Sequence, residues 1–268
     1  NPATKSNAGV GPQVYNPTFG PNTNANIQDK NGGGARDQKR VIDGGFLELV
    51  RMGVKRANDP KILATIPEYD LLLKQTIPGK GDAWFRYNYD GYGEDNTGAN
   101  FNGTGRGRLW PIFTAERGMY EIGKSGLGSS GTPFKTAVKA FSTAQGFVPE
   151  QVWNNSVTIG GDWVTTLPGG YTAGTPTKSM APLNWAMGEY ISLIASINAG
   201  NVIDILPEVC ARYNNCVVAP VADPRGARAR APRAARANAP PVPDATVVAP
   251  AAASPQAAPK ANCSHFRS

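Results

Sequence analysis

Gly146-Phe147-Val148-Pro149-Glu150-Gln151-Val152-Trp153 sets one carboxylate between a proline and a tryptophan, and the rest of the chain is read outward from it. The segment before it, from about Phe134 to Thr143, carries apolar residues at helical spacing, and Gly146 supplies the left-handed backbone that ends such a helix. Glu150 is therefore expected just past a helix C-terminus. There the negative end of the helix dipole and a bulky apolar neighbour both disfavour ionisation, so the carboxyl holds its proton more tightly than an exposed glutamate would. Such a group suits a general base.

Further helices are expected on both sides. From Asp37 to Met52, Val41, Ile42, Phe46, Leu49 and Val50 recur at helical spacing, with Asp37 placed to cap the first turn. Asn58-Asp59-Pro60 then opens a helix over about Lys61 to Lys74, with Ile62, Leu63, Ile66, Leu71 and Leu72 inward. Trp84 to Tyr89 reads as a short extended segment, Asp90 to Gly107 as glycine-rich loop, and Leu109 to Ile122 and Pro182 to Ala199 as helices. No βαβ alternation suggests a doubly wound sheet. Helices joined by glycine-rich loops point to an all-α, α/α architecture whose loops at one rim carry the chemistry.

Composition narrows the chemistry. Residues 217–268 hold seven Lys/Arg and two Asp, which accounts for +5 of the chain's net +7 and leaves +2 for residues 1–216. A nearly neutral body rich in Gly, Asn, Tyr and Trp suits a neutral, hydroxyl-rich ligand better than a polyanion. The single histidine, His265, lies in the tail, which removes Ser-His and Cys-His nucleophiles and histidine-based metal sites from the body. Cys210, Cys216 and Cys263 show no Cys-x-x-Cys spacing; a small disulfide loop between the first two and unpaired thiols both stay open. Residues 1–36, rich in Gly, Asn and Pro, read as a loop-rich lead-in, and residues 217–268, rich in Ala, Pro and Arg, as a low-complexity tail too poor in apolar surface to fold.

Two more stretches bear on a site. Arg86-Tyr87-Asn88-Tyr89-Asp90-Gly91-Tyr92-Gly93-Glu94 combines an arginine, two acids and three tyrosines, the mixture a pyranose asks for: aromatic faces for its C–H surface, charged groups for its hydroxyls. Gly103-Thr104-Gly105-Arg106-Gly107-Arg108 is glycine-rich, yet no strand is expected before it and no Gly-Lys-Ser/Thr follows, so it is a poor phosphate loop. Glu116 and Arg117, one turn beyond Trp110, are expected to pair with each other.

GFVPEQVW resembles the general-base motif of glycoside hydrolase family 15, the glucoamylases and glucodextranases. Four other strings agree in chain order: VIDGGFLELVRMGVKRANDP at 41–60, RYNYDGYGE at 86–94, GTGRGRLWPIFTAERGMYE at 103–121 and PLNWAMGEYISLIASI at 182–197. The resemblance covers most of residues 37–214 and is strongest to the bacterial branch. It implies an (α/α)6 toroid of which residues 37–216 form about the second half, and an inverting release of glucose from the non-reducing ends of starch-type α-glucans. It gives Glu150 the role of general base and leaves the general acid to an upstream segment of the same domain. It places Arg86 with Asp90 or Glu94 on the terminal glucose, and Tyr87, Trp110, Trp153 and Trp185 along the substrate. It calls for no cofactor, metal, nucleic acid or membrane, and for a secreted or periplasmic location. Asn154 departs from it, since many relatives carry an acid directly after the tryptophan. A carbohydrate-binding helical protein without turnover is the alternative.

Overall fold

Pro60 and Pro111 each open a long helix at the position where a missing N–H costs nothing. The structure, a computed structural model, describes residues 26–29, 34–37 and 40–214. The expected tail, with Cys216, Cys263 and His265, and most of the lead-in lie outside the described residues. Cys210 is buried and disulfide-bonded.

In α2 (Pro60–Leu73) the Asp59 carboxylate accepts the Lys61 N–H at 2.9 Å, and the buried stripe is Ile62, Thr65, Ile66, Tyr69 and Leu73. Leu63 and Leu71, expected inward, are 40% and 81% exposed, because they fall off that stripe. Helix α3 (Pro111–Ser125) is buried along nearly its whole length and is the central element, touching α4 (Thr132–Phe141), α5 (Asn184–Ala199) and α1 (Glu48–Arg51). Gly118 allows that closeness, since a Cβ there would meet Phe134 at 2.7 Å and Leu193 at 2.9 Å. A last helix, α6 (Pro207–Asn214), was not anticipated from the sequence.

The helix expected from Asp37 to Met52 does not form as one piece. Asp43 pairs in extended form with Tyr87 and caps a 3-10 turn, Gly44–Leu47, that runs into the single turn of α1. Gly44-Gly45 is the physical reason: glycine disfavours helix, and at Gly44 the absent side chain lets the backbone lie against the Phe113 ring. Short antiparallel strands also modify the all-helical expectation. β1 (Asn26–Asp29) pairs β2 (Gly34–Asp37) within the segment read as loop. β3 (Lys74–Ile77), β4 (Gly81–Phe85) and β5 (Leu109–Trp110) form a three-stranded sheet, and β6 (Val157–Ile159) pairs β7 (Trp163–Thr165).

The three-stranded sheet positions the site. Trp84 stands opposite Trp110 and Phe85 opposite Leu109, so β4 delivers the chain at Arg86 beside the start of α3. Leu109 also exchanges backbone bonds of 2.8 and 3.2 Å with Val152, which fastens the Glu150 segment to the same edge. Beneath them the rings of Phe46, Tyr69, Trp84 and Phe134 follow one another at centroid distances of 5.3, 6.0 and 6.2 Å. Among the described residues no helix is long and apolar enough to cross a membrane.

Candidate active site

Arg86 and Asp90 form a two-pronged ion pair, Nε to Oδ2 at 2.9 Å and Nη2 to Oδ1 at 2.8 Å. Asp90 is 2% exposed. Burial works against the Arg86 charge, and Asp90 more than restores it, holding the guanidinium above its ordinary value. That guanidinium lies over three rings, 4.8 Å from Trp110, 5.0 Å from Tyr87 and 5.3 Å from Tyr92. Tyr92 donates its backbone N–H to Asp90 at 3.0 Å and meets the rings of Phe101 and Trp110 at 5.0 and 6.1 Å.

Glu150 faces this group. Its Oε1 accepts the Tyr92 hydroxyl at 3.4 Å, and its own N–H donates to the Met180 carbonyl at 2.8 Å. Burial pushes the half-buried carboxyl above the ordinary glutamate value; Tyr92 and Arg86 pull it back, while Glu94 and Asp90 add to the rise. The raised value agrees with the sequence reading, but the cause differs. Helix α4 stops at Phe141 with Ser142 as its cap, and left-handed Gly146 closes a separate turn whose N–H bonds to Thr143. Glu150 is thus nine positions beyond the helix, outside the last turn where a helix dipole acts. Like-charged neighbours and lost solvent replace that dipole.

The segment is held from behind. Gln151, fully buried, accepts the Arg108 N–H at 2.7 Å and donates to the Tyr92 carbonyl at 3.1 Å. The Arg108 guanidinium is also buried and donates to Asn154 Oδ1, Thr165 Oγ1 and the carbonyls of Glu94, Asp95 and Thr166 at 2.6–3.0 Å. Every one of those acceptors is neutral, and burial brings Arg108 down to about 10.

Residues 12–195 match glycosyl hydrolases family 15. The chain belongs to that family. It is 43% identical over 193 residues to a glucoamylase of Clostridium sp. (strain G0005), covering 72% of this chain and 24% of that relative. It also superposes on a bacterial glucoamylase complexed with acarbose, with TM-score 0.62 and 44% identity over 72% of this chain and 26% of the other. The chain therefore spans about a quarter of the length of these relatives.

Within this family-15 chain, Glu150, Arg86, Tyr87, Asp90 and Trp110 lie together, with Tyr87 and Trp110 only 5% and 2% exposed. Glu94 lies nearby: Oε1 accepts the Lys178 N–H at 2.6 Å, and Oε2 is buried without a hydrogen-bonding partner. Trp153 does not offer a face to a ligand, being 1% exposed between the Tyr171 ring at 4.2 Å and the Arg108 guanidinium at 4.8 Å. Trp185 is 52% exposed in the first turn of α5. Arg117 pairs with Asp70 at 3.1 Å and with Glu121, leaving Glu116 directed elsewhere, so the expected Glu116–Arg117 pair is absent. Asn154 is buried and serves Arg108 as a neutral acceptor while donating to the Asn155 carbonyl at 2.7 Å. Tyr92, Phe101, Arg108 and Gln151 were not singled out from the sequence; for Tyr92 the signal was its place two residues after Asp90.

Proposed function

We propose that this chain supplies the base-bearing half of the catalytic domain of an inverting, exo-acting α-glucosidase that releases glucose from the non-reducing ends of starch-type α-glucans. The observation that carries this reading is Glu150 itself, a half-buried carboxyl of raised proton affinity beside the Tyr92 hydroxyl and the Arg86–Asp90 pair. An inverting hydrolase needs one carboxylic acid to protonate the leaving oxygen and one carboxylate to deprotonate water, about 6.5–9.5 Å apart. Glu150 is the second of these. Its raised proton affinity makes it a stronger base than an exposed glutamate. The first is a glutamate of an upstream segment, which with this chain closes an (α/α)6 toroid.

Arg86 and Asp90 are a fixed donor-acceptor fork for the hydroxyls of the terminal glucose, and Tyr92 and Phe101 offer the accessible rings its apolar face lies against, with buried Trp110 behind them. The relative that binds acarbose supports a glucan ligand. On this proposal the enzyme meets its polymer outside the cytoplasm, secreted or periplasmic.

The test is glucose release from maltooligosaccharides and isomaltose by the chain joined to an upstream family-type half, with and without Glu150→Gln. The substitution removes the base and keeps the pocket's shape, so kcat falls by roughly 10²–10⁴ with KM little changed. An unchanged rate would take Glu150 out of the mechanism. Sugar binding without turnover in the joined parent would leave a carbohydrate-binding protein.

A further inference from the structure

Three glutamates from three helices meet apart from the Glu150 group. Glu48 opens α1, Glu116 lies in the second turn of α3 and Glu189 sits in α5, and one carboxylate oxygen from each falls within 4.8 Å of the other two. Among the described residues, Arg51 is the cation that pairs with them. Its guanidinium reaches Glu48 at 2.7 Å, Glu189 at 3.2 Å and Asp204 at 2.7 Å, so three carboxyl groups share one positive charge, with Glu116 beside them.

The hydrogen bonds do not close. Both oxygens of Glu116, which is 2% exposed, and Oε2 of Glu189, which is 6% exposed, are buried without a partner that donates to them. What faces Glu116 is Glu48, another acceptor. The Tyr69 hydroxyl from α2 is also fully buried and unpartnered, and it feels the Glu116 charge. Uncompensated buried carboxylates cost far more than an exposed pair, and burial accordingly drives Glu116 and Glu189 up, the latter to about 7.

We propose that Glu48, Glu116 and Glu189 bind a hard divalent cation, Ca²⁺ or Mg²⁺, which ties α1, α3 and α5 together. The donors are all carboxylate oxygens, the set that such ions take, and they include neither the sulfur nor the imidazole that favours zinc or copper. The spacing fits as well. Two oxygens bound to one Ca²⁺ at 2.3–2.6 Å stand at most about 5.2 Å apart. Glu48, with a side chain 34% exposed, opens the site to solvent, while Glu116 closes its inner end. Histidine arithmetic, which removes zinc-type sites from the body of the chain, does not bear on an oxygen site.

The test is calorimetric titration of the chain, stripped with EDTA and held in excess KCl, with CaCl₂ and separately with MgCl₂. One equivalent of at least one ion is expected to bind to the parent and to a Glu208→Gln control, whose acid is exposed on α6. Glu116→Gln and Glu189→Gln each weaken that binding at least about tenfold, the loss that disturbing a metal's surroundings typically brings. Near-UV circular dichroism stays unchanged in both, because the amide fills the same space without the buried charge. Absence of binding by either ion, or affinity unaltered in both variants, would overturn the proposal. Neither result bears on Glu150, whose test is turnover.

Discussion

Tyr92 connects the two sides of the site through a single residue. Its N–H holds Asp90, its carbonyl accepts from Gln151 and its hydroxyl reaches Glu150. A hydrogen bond to the ionised form of a carboxyl favours ionisation, so the Tyr92 hydroxyl lowers a Glu150 value that burial has raised. Removing it in Tyr92→Phe should move the acid limb of kcat/KM against pH further upward in the joined enzyme, because the base then protonates sooner as pH falls. A limb that stays put or moves down would show that the contact does not act on the base. The sign for stability runs the same way: a carboxyl raised in the folded state stabilises below its unfolded value, and that contribution is lost as pH rises through the folded one. Glu150, Arg86 and Asp90 were legible in the sequence because each sits in a short local pattern. Arg108 and Gln151 were not, since their partners lie 13 to 59 positions away along the chain and no local pattern encodes such a meeting.

Two loops cross at the level of whole elements, and the crossing explains their glycines. A Cβ on Gly105 would overlap the Gly93 carbonyl oxygen, and one on Gly107 would come within 2.7 Å of the Asp90 Cβ. The stretch 103–108 is glycine-rich for this reason: its backbone must pass directly over the segment of chain that carries Asp90 and Glu94. Gly105→Ala should therefore cost about 3 kcal/mol or more, the size expected when a substitution drives one backbone into another. Differential scanning calorimetry checks it, and a midpoint equal to the parent's would mean that the two loops are not packed as described. Helices α2 to α5 were readable because each runs for ten or more residues, long enough to stand out between the glycine- and proline-marked loops. Strands β3, β5, β6 and β7 have two to four residues each, too short for a period to stand out, and they exist through partners elsewhere in the chain.

For the whole molecule the informative surface is α5. It is apolar on more than the face it packs against α3, and Trp185 and Ile191 remain 52% and 62% exposed, with Leu206 and Tyr213 further on at 51% and 63%. A helix apolar around its circumference is ordinarily covered on all sides. Relatives about four times as long have chain available to cover it, and we take the upstream half to lie on this face. The isolated chain should consequently bind a hydrophobic dye such as ANS, and addition of the upstream half should suppress that fluorescence. A substitution makes the same point thermodynamically. Trp185→Ser changes a half-exposed ring in the isolated chain and should leave its stability nearly unaltered, whereas in the joined enzyme it removes a ring buried at the seam and should cost roughly 3 kcal/mol. Equal effects in the two settings would mean that the upstream half does not lie on α5, and the ring would have to close along another edge of this chain.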